Sequence, residues 1–377
     1  MECGRGEIAR HQIKTDCLKA FPETVEMWTS SQTVRLTRPV GSDTNNIMGS
    51  MLTRNSSEAR PDRNIFGPLY PARDPELMCK LLSINETDRV LDVGGGGNPF
   101  VRADVIIDLF FEDASHRDGH LIQFLPGKQY VACHDEALPF RDKSFDFVYC
   151  SHTLEHTEDP ARACSELIRV GKRGYIETPQ KMTDLFAGYP SHRWLVECVD
   201  GALIFERRAF IESPFQNFAL AYGLAHPEIL ERGEVTFRNV TCVQFVWEDS
   251  FRFRVNDDRP EGGFDYSNPR HAGYAHFYFA LNLLRHGAPG SYACFHAAKA
   301  VTLIPGEPQA WSLLGLYRLL TQDLAGAQEA LAEAGRLAPT DEVVRTNLRV
   351  IAALRSGESP PHPPRLPISG EIVRPRP

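Results

Sequence analysis

The chain has 377 residues, a formal net charge of −8 and a pI near 5.9, with 42% hydrophobic and 24% charged residues. That length supports two or more domains and a sizeable core, and the acidic balance argues against nucleic acid as a general partner. The nine cysteines include no C-x-x-C pair, so neither a disulfide framework nor a zinc knuckle is expected, and with no apolar leader and no stretch near the ~18 apolar residues of a membrane span the expected setting is the cytoplasm, without a membrane partner.

Residues 1–65 carry little periodicity and much Ser, Thr, Asn and Arg ("GSDTNNIMGSMLTRNSSEARPDRN"), which predicts a partly disordered extension. Over 66–256 helix and strand patterns alternate: "DPELMCKLL" reads as helix, "RVLDV", "ADVIID", "QYVACH" and "FDFVYCS" as strands, "DPARACSELIRV" as helix and "RGYIET" as strand. Such alternation predicts an α/β fold, a Rossmann-like, mostly parallel sheet covered by helices. "HRWLVECVDGALIFERR" and "VTCVQFVWEDSFRFRV" both read as hairpins; Asp200-Gly201 suits a type I′ turn, and the second hairpin is expected to form the antiparallel edge of the sheet. Residues 257–273, rich in Asp, Gly and Pro, read as a linker.

Beyond the linker the period changes. Trp311, Gly315, Ala327, Leu331, Ala334 and Pro339 fall at the spacing of the 34-residue tetratricopeptide pattern, and Phe277, Ala293, Ala300 and Pro305 precede four of them by 34. The expectation is an all-α, C-terminal segment at 274–355, two helical repeats and a capping helix, packed separately enough that the sheet domain alone would bind its ligand. Its expected use is a protein partner, self-association or a cover over the pocket. Residues 356–377 are proline-rich and predict a disordered tail.

The chemistry centres on "VLDVGGGGNPFVRADVIIDLF". A nucleotide-type site in a doubly wound sheet normally has a glycine loop and then a helix N-terminus, but only Pro99 to Arg102 are left for that helix. Successive loop N–H groups are therefore expected to replace it as the anion site. Asp92, Asp108, His134-Asp135-Glu136 and "SHTLEH" all fall at carboxyl ends of expected strands, where open parallel sheets bind ligands.

Together with "EALPF", "SFDFVYCSHTLEH" and "ELIRV" in order and spacing, these residues resemble the class I S-adenosylmethionine-dependent methyltransferases, in particular the methyltransferase type 11 domain, over about Leu81 to Pro179. The resemblance implies S-adenosylmethionine as cofactor. It implies Asp92, Gly94, Gly96 and Asn98 around the methionyl part, Asp108 at the ribose hydroxyls, His134 or Asp135 at the adenine amino group, and Ser151 and His152 near the sulfonium. Asn98 stands where the family's loop usually has its third glycine, and His134 where relatives usually have the adenine-reading Asp.

If the methyl acceptor carries a proton, His152 and His156 are the nearest bases, with His192 a third; His192, Arg193 and Trp194 in "SHRW" are the expected substrate-binding residues. The expected acceptor is a small molecule or glycan. The alternative is a noncatalytic adaptor on a degenerate methyltransferase fold. His152, Glu155 and His156 also spell the H-x-x-E-H of inverted zinc peptidases, but that chemistry needs both histidines on one helix face, and the segment leaves a strand and meets Pro160 too soon. No metal centre is expected.

Overall fold

The computed structural model describes residues 24–28, 33–37, 69–72, 74–112, 121–209, 217–226, 228, 235–258, 265–288 and 290–367. Within the expected N-terminal extension, β1 (Thr24–Trp28) and β2 (Thr33–Thr37) pair antiparallel with Thr24 opposite Thr37. The rest of that extension lies outside the described residues.

The chain then forms α1 (Pro75–Leu81), β3 (Val90–Val93), β4 (Val105–Asp108), β5 (Gln129–Ala132), β6 (Phe147–Ser151), α2 (Pro160–Val170) and β7 (Arg173–Pro179). It continues with α3 (Lys181–Ala187), β8 (Trp194–Val199), β9 (Ala202–Arg207), α4 (Phe218–Ala225), α5 (Arg238–Thr241), β10 (Cys242–Glu248) and β11 (Arg252–Asn256). Local signals set the helix starts: Asp74 and Asp159 accept hydrogen bonds from first-turn N–H groups, and each is followed by a proline whose missing N–H costs nothing there.

Six strands form one sheet in the order β10-β7-β6-β3-β4-β5, parallel except for β10, which runs antiparallel along β7. This is the expected mostly parallel α/β sheet. Its faces follow the two-residue period of a strand. Leu91, Val93, Val148 and Cys150 pack on one face with Leu167 of α2 and with Trp194 and Phe205. Val90, Phe147 and Tyr149 pack on the other with Met78 of α1 and with Phe100.

Between β3 and β4 the chain makes turns and no helix. Phe100 covers the surface left open: its ring stacks on Tyr149 at 4.3 Å and 13°, and Tyr149 stacks on Tyr175 at 5.5 Å and 22°. Aromatic rings bury a large area per residue, so a short loop can close a face that would otherwise need several turns of helix.

The first hairpin forms as expected: β8 and β9 pair antiparallel, and Asp200 (φ 50°) and Gly201 (φ 70°) supply the two positive φ values of a type I′ turn. The second does not. The chain reverses at Asp249 (φ 58°), but β11 pairs parallel with β9, so a separate three-stranded sheet β11-β9-β8 results and β10 alone is the antiparallel edge. Phe251, Phe253 and Val255 gain burial against the core beneath the large sheet, which a strand laid alongside β10 would not give them.

The C-terminal helices are α6 (Pro269–Arg285), α7 (Ser291–Leu303), α8 (Pro308–Leu320), α9 (Leu324–Leu337) and α10 (Glu342–Ser356). Helix α6 begins inside the expected linker, because Asn268 caps it by accepting from the Arg270 N–H and Pro269 sits in its first turn. The helices share one core in which Ala293, Ala300, Ala327 and Ala334 are buried. A Cβ at Gly315 would stand 2.6 Å from Leu331, so α8 and α9 approach as closely as a glycine allows. Leu220 and Ala221 of α4 belong to the same core. The first part of the expected disordered tail is docked: both Asn347 amide atoms bond the Arg365 backbone, at 2.8 and 2.6 Å, and Leu366 is buried. Residues 368–377 lie outside the described residues. Among the described residues no helix is long and apolar enough to cross a membrane.

Candidate functional site

A cavity of about 440 Å³ opens at the carboxyl ends of β3 to β6, lined there by Gly94, Asp108, His134, Asp135, His152 and Thr153. Its opposite wall comes from Ser191 and Arg193, from Tyr266 and Ser267 in the expected linker, and from His276 of α6 and Lys299 of α7. The helical segment is therefore part of the site.

The glycine loop is built to close on itself. Gly94 has φ 76°, and a Cβ there would lie 2.1 Å from Thr153 Oγ1. Its N–H donates to the Ile107 carbonyl at 2.9 Å, and the Asn98 N–H to Gly95 at 2.9 Å. Asp92 Oδ2 accepts from the Phe100 N–H at 2.8 Å. The Gly94, Asn98 and Phe100 N–H groups are thus taken by β4, by the loop itself and by the Asp92 side chain, so none of these three is a free donor. Gly94 lines the cavity, whereas Asp92, Gly96 and Asn98 do not. Gly96 is buried, its carbonyl taken by the Gln123 N–H, and Asn98 faces solvent. Burial pushes the Asp92 carboxyl up to about 7, against the lowering effect of the Phe100 bond and with a further rise from the Asp108 charge.

Two acids of the next strand ends do face the cavity. Asp108 Oδ1 accepts from the Phe110 N–H at 2.8 Å. His134 Nδ1 stands 3.0 Å from Asp135 Oδ1, and Asp135 Oδ2 is buried with no hydrogen-bond partner. Burial raises the Asp135 carboxyl above its usual range, opposed by the nearby His134. Of the two residues left open for the adenine, Asp135 has the acceptor in want of a donor.

His152 leaves β6 with φ 54° and sits between two buried carboxylates, Nδ1 3.3 Å from Glu155 and Nε2 3.4 Å from Glu177. Burial alone would lower its pKa, but Cys242, Glu155 and Glu177 reverse this and hold it well above the usual imidazole value. Both ring nitrogens are thereby engaged by neighbouring side chains, Nε2 also by Arg238 at 3.3 Å. Glu177 is in turn held well below the usual carboxylate range: burial opposes its charge, and His152 and Arg238, whose guanidinium is 2.5 Å away, outweigh it. Ser151 Oγ donates to Glu177 at 3.1 Å and is outside the cavity lining.

His156 lines the cavity in the opposite state. Its Nδ1 lies 3.1 Å from the Ser191 carbonyl, which can only accept, so Nδ1 carries the proton and Nε2 the lone pair. Burial and the neighbouring His192 lower its pKa to about 4. Of the expected substrate residues only Arg193 lines the cavity, tied to Ser267 Oγ at 2.8 Å and Glu158 at 3.3 Å. His192 is buried against Asp184 at 2.8 Å. Trp194 is a core residue, 1% exposed, its Nε1 donating to the Thr157 carbonyl and its ring covered by Arg207. Strand alternation turns Trp194 inward, away from the ligand side. Tyr266, His276 and Lys299 were not legible as site residues, although Lys299 is the only lysine after Lys181, a signal for a placed cation in an otherwise apolar helix.

Residues 108–176, which contain Asp108, Asp135 and the turn after β6, match a family model described as a methyltransferase domain. The match implies S-adenosylmethionine as the cofactor of this segment. No curated protein matches the chain. Among solved structures, the YcgJ protein of Bacillus subtilis is 24% identical over 31% of this chain and 59% of its own, with a TM-score of 0.25. A SAM-dependent methyltransferase from Aquifex aeolicus is 22% identical over 29% and 65%, with a TM-score of 0.24. One from Mesorhizobium loti is 18% identical over 36% and 64%, with a TM-score of 0.24. This chain thus spans under two thirds of each of these proteins, and likeness at this level says nothing of substrate.

Proposed function

We propose that the cavity is the site of methyl transfer from S-adenosylmethionine to a small-molecule or glycan acceptor. The observation that carries this reading is that Asp108 and Asp135, both inside the segment matching the methyltransferase domain, line one cavity at adjacent strand ends. The donor set fits the cofactor: a carboxylate suits a vicinal diol, and the unpartnered Asp135 Oδ2 suits an exocyclic amino group. Bound there, the cofactor supplies an activated methyl group on a sulfonium.

What remains for the chain is positioning and exclusion of water. Arg193 and Lys299 bring positive charge to the wall facing the acids, where they would orient an acceptor's oxygen atoms. His156, neutral and with Nε2 free of the Ser191 bond, is the cavity imidazole with a lone pair for an acceptor's proton, a weak base at a pKa of about 4; His152 orders the turn between Glu155 and Glu177. An adaptor role is not favoured, since a fold retained for docking alone has no need of this pair of acids in a cavity. Helices α6 to α9 read as two tetratricopeptide-like repeats capped by α10, a surface for a protein partner or a second copy. All seven cysteines of the described residues are free thiols, in keeping with a cytoplasmic setting.

Calorimetric titration with S-adenosylmethionine tests the reading. Binding is expected, and Asp108→Ala should weaken it by about 1–3 kcal/mol through lost charge-assisted hydrogen bonds. A folded protein that takes up no cofactor at millimolar concentration overturns it.

A further inference from the structure

We propose that Glu155, His156 and His192 form a binding site for a divalent transition-metal ion, Zn²⁺ being the best match to two imidazoles and one carboxylate. One ligand atom from each of the three lies within 4.8 Å of the other two. His156 and His192 both commit Nδ1 to an oxygen acceptor, the Ser191 carbonyl at 3.1 Å and Asp184 at 2.8 Å. That is the outer-shell arrangement that orients metal-binding imidazoles and leaves Nε2 as the ligand.

The independent sign is Glu155. It is fully buried, and its Oε2 has no hydrogen-bond donor. Buried carboxylates are normally satisfied, and the nearest cation, His152, stands 3.3 Å from Oε1 and leaves Oε2 without a partner. The two other groups with metal-like composition are better satisfied, Asp135 Oδ2 being the one buried carboxylate oxygen among them without a partner. In His152, Glu177 and Cys242, the Glu177 carboxylate already accepts from Tyr175, Gln244 and Arg238, and the guanidinium occupies the cation's place. In His134, Asp135 and Glu136, Glu136 Oε1 accepts from Thr157 Oγ1 and from the N–H groups of Glu158 and Asp159.

Zinc bonds of about 2.0–2.1 Å draw ligands to within ~3.5 Å of one another, so the ion would pull the three side chains inward. It would tie the turn after β6 to the segment leading into β8, two parts of the cavity wall. An ion on Nε2 also takes the lone pair through which His156 would act as a base, so the two roles exclude each other. The sequence pattern His-x-x-Glu-His contains two of the ligands, but the third is His192 and not His152.

The test is calorimetric titration of Zn²⁺ into the metal-stripped full chain, with Co²⁺ absorption as a second readout. One ion per chain is expected, weakened at least about tenfold in Glu155→Gln and His192→Ala and unchanged in Cys242→Ala. Co²⁺ should give visible d–d bands without a thiolate charge-transfer band. Should Glu155→Gln fail to fold by near-ultraviolet circular dichroism, His156→Ala, at the half-buried cavity wall, must show the loss instead. No Zn²⁺ uptake by the folded wild-type chain, a thiolate band, or undiminished affinity in His192→Ala overturns the proposal.

Discussion

A carboxyl buried at 2% exposure and shifted to about 7 makes stability depend on pH. The folded pKa of Asp92 is above its unfolded value of about 3.8. The unfolded chain therefore loses its proton first, and stability falls as pH rises from about 4 to about 7, by on the order of 4 kcal/mol if the whole shift is expressed. Asp92→Asn keeps an oxygen acceptor for the Phe100 N–H and removes the charge. Its urea midpoint should exceed that of the wild type at pH 8 and match it near pH 4; parallel pH profiles for the two proteins would show that Asp92 titrates normally. Gly94 gives a second test at this scale. Its φ of 76° and the Thr153 hydroxyl 2.1 Å from a would-be Cβ predict that Gly94→Ala costs more than ~1 kcal/mol even before any ligand is added. At the adenine position, Asp135→Asn should lower S-adenosylmethionine affinity about tenfold or more and His134→Ala less, read by the same titration; the reverse ranking would give the contact to His134.

At the scale of elements, the loop that replaces a helix depends on one ring. Phe100 is 6% exposed and stacked on Tyr149, so Phe100→Ala should cost roughly 3–5 kcal/mol in urea unfolding, more than an ordinary loop residue would. The shortage of residues between Gly97 and Ala103 was legible in the sequence; what took the helix's place was not, because an aromatic stack joins residues 49 and 26 apart whose proximity only the sheet order creates. That Asp108, His134 and Asp135 face one cavity was legible for the converse reason: ends of neighbouring parallel strands open on the same side of the sheet, so a local pattern carries the spatial conclusion. The same pattern misplaced Asp92, which lies within the strand rather than at its end and points where the loop folds back. Trp194 and His192 failed similarly, since a charged and aromatic cluster looks alike whether alternation turns it in or out. β11 escaped because two strands joined by a tight turn predict each other, whereas its partner, β9, is distant in the sequence.

At the scale of the molecule, the cavity is bounded on one side by sheet and on the other by α6 and α7. A chain ending at Asp258 loses Tyr266, His276 and Lys299 from that wall and also leaves Leu220 and Ala221 without the helical core they join. Such a truncation should bind S-adenosylmethionine more weakly than the full chain, or aggregate; full affinity in a folded truncated protein would confine the ligand to the sheet side. The shared wall has a thermodynamic counterpart. A ligand held by both sides favours only states in which both cores are intact, so it acts as a reversible cross-link between them. Scanning calorimetry of the ligand-free chain can then show the sheet core and the helical core melting apart, whereas saturating cofactor should fuse them into one cooperative transition, because neither half can unfold without surrendering what the other holds.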